Sequence, residues 1–361
     1  MKVKVLVVDD TIFYRKILSD VLAGLPFVEV VGTANNGEIA LARIKALKPD
    51  ILTLDVEMPG KNGLEVLAEV QAQGLGVDCL MVSSKTLAGS AITLQALELG
   101  ALDFITKPDE ADAEANKKML AIGLGKFLGE YRRQVEARRN RGQKGPLARP
   151  APAAGRVAVQ IQPKSRLAER PERSQVIALG VSTGGPNALA RILPEFPGDL
   201  GVPILLVQHM PPVFTQSLAK SLDSKCALTV KEAVDGEAIE KNTVYIAPGG
   251  KQMKVGSSAS LTKIIRITED PPENNCRPAV DYLFRSVARE YGSKTTCVIM
   301  TGMGIDGKLG CMVCKASGAV TVAQHEESCV VYGMPKAVVD AGLADVIAPL
   351  DKIVAEIMKT V

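Results

Sequence analysis

The sequence predicts two α/β domains in one chain, each a doubly wound, mostly parallel sheet. Three observations carry that prediction. The chain has 361 residues, more than one hydrophobic core ordinarily serves. Short apolar runs alternate with helical patterns through residues 1–108, and the same rhythm resumes from about Ser174. Between them, residues 126–173 are rich in Pro, Ala and Gly, without sustained apolar periodicity, and read as a linker. The expected division is therefore 1–125, 126–173 and 174–361.

In the first domain the strands are VKVLVV (3–8), VEVVGTA (28–34), ILTLD (51–55), CLMVSS (79–84) and DFITK (103–107). Helical patterns such as TIFYRKILSDVLAGL (11–25) and NGLEVLAEVQAQ (62–73) lie between them. In an open parallel sheet, function gathers beyond the carboxyl ends of the strands. The residues placed there are acidic: Asp9 and Asp10 after the first strand, and Asp55 at the end of ILTLD. Lys107 follows DFIT and precedes Pro108, whose ring restrains its neighbour and marks the strand end. Three carboxylates brought together repel unless a cation joins them, and hard oxygen ligands suit Mg²⁺. Asp9 and Asp10 could instead cap the first helix. Capping accounts for neither Asp55 nor Lys107.

The linker holds thirteen Lys and Arg against four Glu, so the rest of the chain is net acidic within an overall charge of +3. It lacks the interleaved aromatics of a nucleic-acid surface and reads as a solvated tether, with no DNA partner. Hydrophobic residues at 47% and charged residues at 23% fit a soluble globular protein. No apolar run reaches the length of a membrane span, so no membrane insertion is expected. The N-terminus MKVKVLVVDD runs straight into acidic residues and reads as a strand rather than a leader. Seven scattered cysteines, an odd number, suit a reducing compartment, the cytoplasm. Cys311-Met-Val-Cys314 stands without the second pair that a zinc site needs.

In the second domain the strands are VIALGVS (176–182), PILLVQH (203–209), TVYIAPG (243–249), TTCVIMTGMG (295–304) and AVTVAQ (319–324). PNALARILPEF, AVDYLFRSVAREY and DGKLGCMVCKAS read as helices. The first strand ends on Gly-Val-Ser-Thr-Gly-Gly, which could cradle a phosphate, present a nucleophile or simply turn the chain. No lysine follows the glycines as a P-loop requires, and Ser182 occupies the second-glycine position of the dinucleotide pattern. The run Gly180–Gly184 does fit G-x-S-x-G, a strand-to-helix turn that exposes a serine. Ser182 then needs a base, and the base an orienting acid. The chain has only two histidines, His209 and His325, each just after a predicted strand, and Asp306 lies beyond a third. Two orders fit the pattern, Ser182–His209–Asp306 and Ser182–Asp306–His325.

Motif order adds a resemblance at this point. VVDD, LTLDVEMPGKNG, MVSS and TKP make residues 1–108 resemble a response-regulator receiver domain, a flavodoxin-like fold. That resemblance implies Asp55 as phosphoacceptor and Mg²⁺ held by Asp9, Asp10, Asp55 and the Glu57 carbonyl. It also implies Ser83 as the hydroxyl that meets the phosphoryl group, Phe104 as the aromatic switch residue and Lys107 as the phosphate-pairing lysine. GVSTGGP, QHMPPVFT, AVDGE, YIAPGG, TGMGIDG and VYGMPKA make residues 174–361 resemble the catalytic domain of the CheB family of chemotaxis protein-glutamate methylesterases.

The second resemblance implies a Rossmann-like α/β serine hydrolase. Ser182 is its nucleophile, His209 its base and Asp306 its orienting acid, with the Met303 amide as oxyanion donor and Thr183 lining the site. It gives His325 no catalytic role. The implied reaction removes methyl groups from receptor glutamyl esters and deamidates receptor glutamines, with no metal in the esterase step. Chemotaxis receptors are the implied substrates and a chemotaxis histidine kinase the implied phosphodonor. The unphosphorylated receiver is expected to obstruct Ser182 until Asp55 is phosphorylated. A receptor-binding module without hydrolysis, or a hydrolase of another ester, would carry different chemistry on the same frame.

Overall fold

The computed structural model describes residues 2–84, 86–108, 112–140, 142, 145–147 and 172–361. It divides into two compact units, Met1–Ala154 and Gly155–Val361.

The first unit runs β1 (Val3–Val8), α1 (Ile12–Ala23), β2 (Val28–Ala34), α2 (Gly37–Leu47), β3 (Ile51–Asp55), α3 (Gly63–Ala72), β4 (Asp78–Ser83), α4 (Leu87–Glu98), β5 (Asp103–Thr106) and α5 (Ala113–Asn140). Its five strands lie in the order β2-β1-β3-β4-β5, every neighbouring pair parallel. This is the flavodoxin-like winding. Strands β3 and β4 are buried along their whole length, which is why they read as unbroken apolar runs rather than alternating ones. Helix α1 is capped by the Thr11 hydroxyl, which accepts from the Tyr14 amide. Neither Asp9 nor Asp10 is the cap.

One boundary differs from expectation. Helix α5 continues past residue 125 to Asn140, so the first part of the stretch read as linker belongs to the first unit. Leu120, Leu124, Phe127, Leu128 and Tyr131 recur at helical spacing and are buried. The Tyr131 hydroxyl lies 3.0 Å from both the Asp50 carbonyl and the buried Asp78 carboxylate, and the Leu147 amide donates to the same carboxylate at 2.8 Å. The basic residues among these apolar positions hid the periodicity. Most of the remaining expected linker, 148–171, lies outside the described residues.

The second unit runs β6 (Val176–Val181), α6 (Gly185–Ile192), β7 (Ile204–Gln208), α7 (Phe214–Asp223), β8 (Thr229–Glu232), β9 (Thr243–Ile246), β10 (Gln252–Ser257), β11 (Lys263–Thr268), α8 (Val280–Tyr291), β12 (Thr295–Ile299), α9 (Lys308–Ala316), β13 (Val320–Gln324), α10 (Met334–Asp340), β14 (Val346–Ala348) and α11 (Leu350–Met358). Seven strands lie in the order β14-β13-β12-β6-β7-β9-β8, each neighbouring pair parallel. A separate antiparallel pair, β10 with β11, packs its Met253, Val255 and Ile265 into the same core as α8. Cys311 and Cys314 are buried in that core too, so the CxxC spacing serves packing. Gly180, inside β6, has a packing role as well: a Cβ there would lie 2.5 Å from Val280, the first residue of α8.

Candidate functional site

The second sheet reverses its winding at β6. Strands β7, β9 and β8 extend to one side, and β12, β13 and β14 to the other. A crevice opens at such a switch point, beyond the strand ends. Register decides what stands there. Val181 pairs with Gln208 and Gly180 with Ile299, so Ser182 and His209 end neighbouring strands. The His209 amide donates to the Val181 carbonyl at 3.1 Å, and the Ser182 amide to the Thr301 carbonyl at 3.0 Å.

The turn after Ser182 is built for close approach. Gly184 has φ +75°, a left-handed conformation that starts α6. A Cβ on Gly185 would come 1.9 Å from Gln208 Oε1. Gln208 Nε2 in turn donates to the carbonyls of Ser182 and His209, at 3.0 and 3.2 Å. Gln208 thus ties the two strand ends together.

His209 Nε2 lies 2.8 Å from Asp306 Oδ2. An ionised carboxylate only accepts, so Nε2 carries the hydrogen and the neutral ring keeps its lone pair on Nδ1. Asp306 is 2% exposed and is held from several directions. Oδ2 also accepts from the Val280 amide at 2.7 Å. Oδ1 accepts at 3.0 Å from the amides of Asp281 and Gly307 and from Asn274 Nδ2. Burial alone would raise this carboxyl, but the His209 contact and the backbone amides outweigh it and hold it below its ordinary value. Burial would likewise lower the imidazole, yet the hydrogen bond with Asp306, joined by Cys276, holds His209 up at about 9. Neighbouring Asp281 is pushed up by burial, with the Asp306 charge adding to the rise.

Around Ser182 several polar groups are left open. Its hydroxyl is half-buried and makes no hydrogen bond among the described residues. The same holds for the backbone amides of Thr183 and Met303. Gly302 lies against Ser182, where a Cβ would come 2.7 Å from the serine Cβ. Gly333 backs the same loop, leaving room for Met303 Cα and the Gly304 nitrogen. Thr183 is buried, and its carbonyl accepts from the Thr301 hydroxyl at 2.9 Å. His325 is not part of this cluster. It follows β13, separated from β6 by β12, and its Nδ1 accepts from the Glu327 amide at 3.3 Å in its own turn.

The first unit gathers its acidic residues at the ends of β1 and β3. Asp9 and Asp55 are buried, and carboxylate oxygens of Asp9, Asp10 and Asp55 lie within 4.8 Å of one another. Lys107 Nζ reaches Asp55 Oδ2 at 2.7 Å and Asp9 Oδ2 at 2.9 Å, and sits 4.7 Å from the centre of the Tyr14 ring. Thr11 donates to Asp9 Oδ1 from its amide and hydroxyl, at 2.9 and 2.6 Å. The Glu57 amide approaches Asp55 Oδ1 at 3.4 Å. Burial and the Asp9 charge outweigh Lys107 and raise Asp55 to about 6. One ammonium against three carboxylates leaves an excess of negative charge, and the donors are all oxygen. The residues fit Mg²⁺. Phe104 is half-buried at the β5 edge position. Ser83 is fully buried, but its hydroxyl turns into α4, 3.4 Å from the Gly89 carbonyl and 2.7 Å from the Thr93 hydroxyl, not onto Asp55.

The CheB methylesterase family model matches residues 177–357, and the response regulator receiver domain model residues 5–116. The protein-glutamate methylesterase/protein-glutamine glutaminase of Desulfotalea psychrophila is 52% identical over 360 residues, covering 99% of this chain and 98% of that one. The chain belongs to the CheB methylesterase family. Its counterpart of the same description in Bacillus subtilis is 42% identical over 368 residues, covering 99% of this chain and 98% of the other. The crystal structure of the Thermotoga maritima CheB methylesterase catalytic domain aligns with a TM-score of 0.51 at 43% identity, covering 53% of this chain and all of that one.

Within this CheB-family site, sequence reading passed over Gln208, Asn274, Cys276 and Asp281. Gln208 stood in plain view beside His209. Asn274 and Asn275 both adopt positive φ, and an Asn-Asn pair in a proline-rich loop is a turn signal. Asp281 is a buried acid on the amphipathic helix α8. No helix among the described residues is long and apolar enough to cross a membrane.

Proposed function

We propose that this chain is a protein-glutamate methylesterase and protein-glutamine glutaminase of chemotaxis receptors, switched on by phosphorylation of Asp55. The observation that carries the hydrolase reading is the Asp306–His209 pair beside Ser182. Asp306 fixes the imidazole with its lone pair on Nδ1. Ser182 ends the adjoining strand with an open hydroxyl.

In this reading His209 takes the Ser182 proton as the hydroxyl attacks a glutamyl γ-methyl ester. The imidazolium that forms is stabilised by Asp306, which stays ionised. The Met303 amide, unpaired in a loop packed on Ser182, stabilises the tetrahedral oxyanion, and one such donor is worth about 3–4 kcal/mol. Thr183 lines the site. Methanol leaves with the proton returned by His209, and water resolves the acyl-enzyme to a glutamate carboxylate. A glutamine side chain follows the same path and releases ammonia.

In the receiver, Asp55 is the phosphoacceptor, and Asp9, Asp10, Asp55 and the Glu57 carbonyl would hold Mg²⁺. When bound, that ion offsets charge developing on the transferred phosphoryl group. Lys107 supplies a further positive charge from 2.7 Å. To meet a phosphoryl group on Asp55, Ser83 has to leave Gly89 and Thr93, which couples the added charge to α4. Phe104, on the neighbouring strand, is the aromatic switch residue. We place the protein in the cytoplasm, with a chemotaxis histidine kinase as phosphodonor and no DNA target.

Methanol release from methylated chemoreceptor, with and without Mg²⁺ and a small-molecule phosphodonor, tests the reading. Release that rises with phosphodonor and vanishes in Ser182→Ala is expected. Folded protein that releases no methanol in either condition overturns it.

A further inference from the structure

Cys276 stands where a metal ion could stop the base. Its Sγ lies 3.7 Å from His209 Nδ1, the ring atom that Asp306 leaves with the lone pair. The cysteine is half-buried, neither sealed in the core nor loose on the surface. Its position is fixed by a tight turn. The Cys276 amide donates to the Glu273 carbonyl at 2.7 Å, and the Glu273 amide returns a bond to the Cys276 carbonyl at 3.1 Å. Asn274 and Asn275 make the turn with φ of +51° and +59°. Asn274 Nδ2 then anchors it to Asp281 Oδ2 at 2.9 Å and to Asp306 Oδ1 at 3.0 Å. The turn that carries the thiol is therefore tied to the acid that orients His209.

The spacing is that of two ligands on one ion. A tetrahedral zinc at about 2.3 Å from sulfur and about 2.0–2.1 Å from nitrogen places those ligand atoms about 3.5 Å apart. The outer partner is also present. Metal-bound imidazoles donate their second nitrogen to a carboxylate, and Asp306 takes the Nε2 hydrogen at 2.8 Å. His209, Cys276 and Asp306 offer ligand atoms within 4.8 Å of one another. Sulfur with imidazole selects a soft or borderline ion over Mg²⁺.

We propose that a thiophilic divalent cation of the Zn²⁺ class binds between His209 Nδ1 and Cys276 Sγ and inhibits the enzyme. Binding deprotonates Cys276 and, from the imidazolium, His209 Nδ1, both protons passing to solvent, and the metal–nitrogen bond takes the lone pair that would accept the Ser182 proton. Water completes the coordination, so two protein ligands give a reversible brake rather than a structural site. The inhibitory half rests on His209 being the base; the binding half does not.

The test uses the full chain in excess Mg²⁺, which occupies the receiver's oxygen site, with Co²⁺ as spectroscopic probe. One equivalent should give tetrahedral visible bands and a thiolate-to-cobalt charge-transfer band that Zn²⁺ displaces. Both should vanish in Cys276→Ala. Zn²⁺ should also suppress methanol release, chelator should restore it, and Cys276→Ala should be less sensitive by about tenfold or more, the scale on which metal affinity responds even to loss of an outer partner. A charge-transfer band that persists in Cys276→Ala, no band in the native protein, or equal Zn²⁺ inhibition of both overturns the proposal. The band is read without substrate, so a protein that binds Co²⁺ through Cys276 yet releases no methanol sinks the esterase reading and leaves the site standing.

Discussion

Ser182, His209 and Asp306 each have a separable signature. Ser182→Ala should lower methanol release on the order of 10⁴-fold or more, since little beyond binding and the oxyanion site remains. His209→Gln should fall comparably, while His325→Gln should stay within about twofold of the native rate, as expected for a change confined to a separate turn after β13. Parallel assays of the two glutamine variants check the choice of base. The raised imidazole sets the pH dependence. A pKa held near 9 keeps His209 protonated at neutral pH, so the base form accumulates as pH rises through that value. The rising limb of kcat/KM should lie well to the alkaline side of an ordinary histidine's, about 6.5. With two histidines in the chain, proton NMR can follow each ring, and Asp306→Asn should move the His209 midpoint down. Sequence pattern alone left His209 and His325 as equals, because both follow strands. What separates them is that β12 intervenes between β13 and β6, and strand order is not written locally.

At the scale of elements, the long regular strands were legible and the short ones were not. VKVLVV and ILTLD stand out because they are apolar and bounded by polar turns. Strand β8, TVKE, alternates too briefly to register, and β14 has three residues. The antiparallel β10–β11 pair was missed because Lys254, Lys263 and Arg266 punctuate it. Helix α5 was cut short for a similar reason, its buried positions lying among arginines. Tyr131→Phe tests that the helix belongs to the first unit's core. It removes a hydrogen bond to the buried Asp78 carboxylate, and a loss of about 1.5–3 kcal/mol is expected, measured as a lower unfolding midpoint for the receiver transition. Gly185→Ala should cost roughly 1–3 kcal/mol in the second unit by overpacking against Gln208. A chemical denaturation curve reads it, and activity should fall with it because Gln208 ties the two strand ends.

For the molecule as a whole, two parallel sheets and the order of their motifs were readable, as was the gathering of function at strand ends. Their regulation is a matter of coupling. If the receiver restrains the hydrolase, a fragment spanning residues 174–361 should release methanol faster than the unphosphorylated full chain. Asp55→Asn should remove the response to phosphodonor while leaving the unstimulated rate in place. Equal rates for fragment and whole protein, with and without phosphodonor, would falsify the restraint.

Asp306 carries one more consequence. Its two oxygens receive three backbone amides, a side-chain amide and the imidazole. An asparagine of the same shape would turn an NH₂ toward donors that have nowhere else to go. Folding and reactivity therefore read the same negative charge at this position. A lineage that drifted away from hydrolysis could discard Ser182 by a single neutral step, but losing the aspartate would cost it stability as well. The acid would outlast the reaction it serves, a fossil held in place by the start of α8.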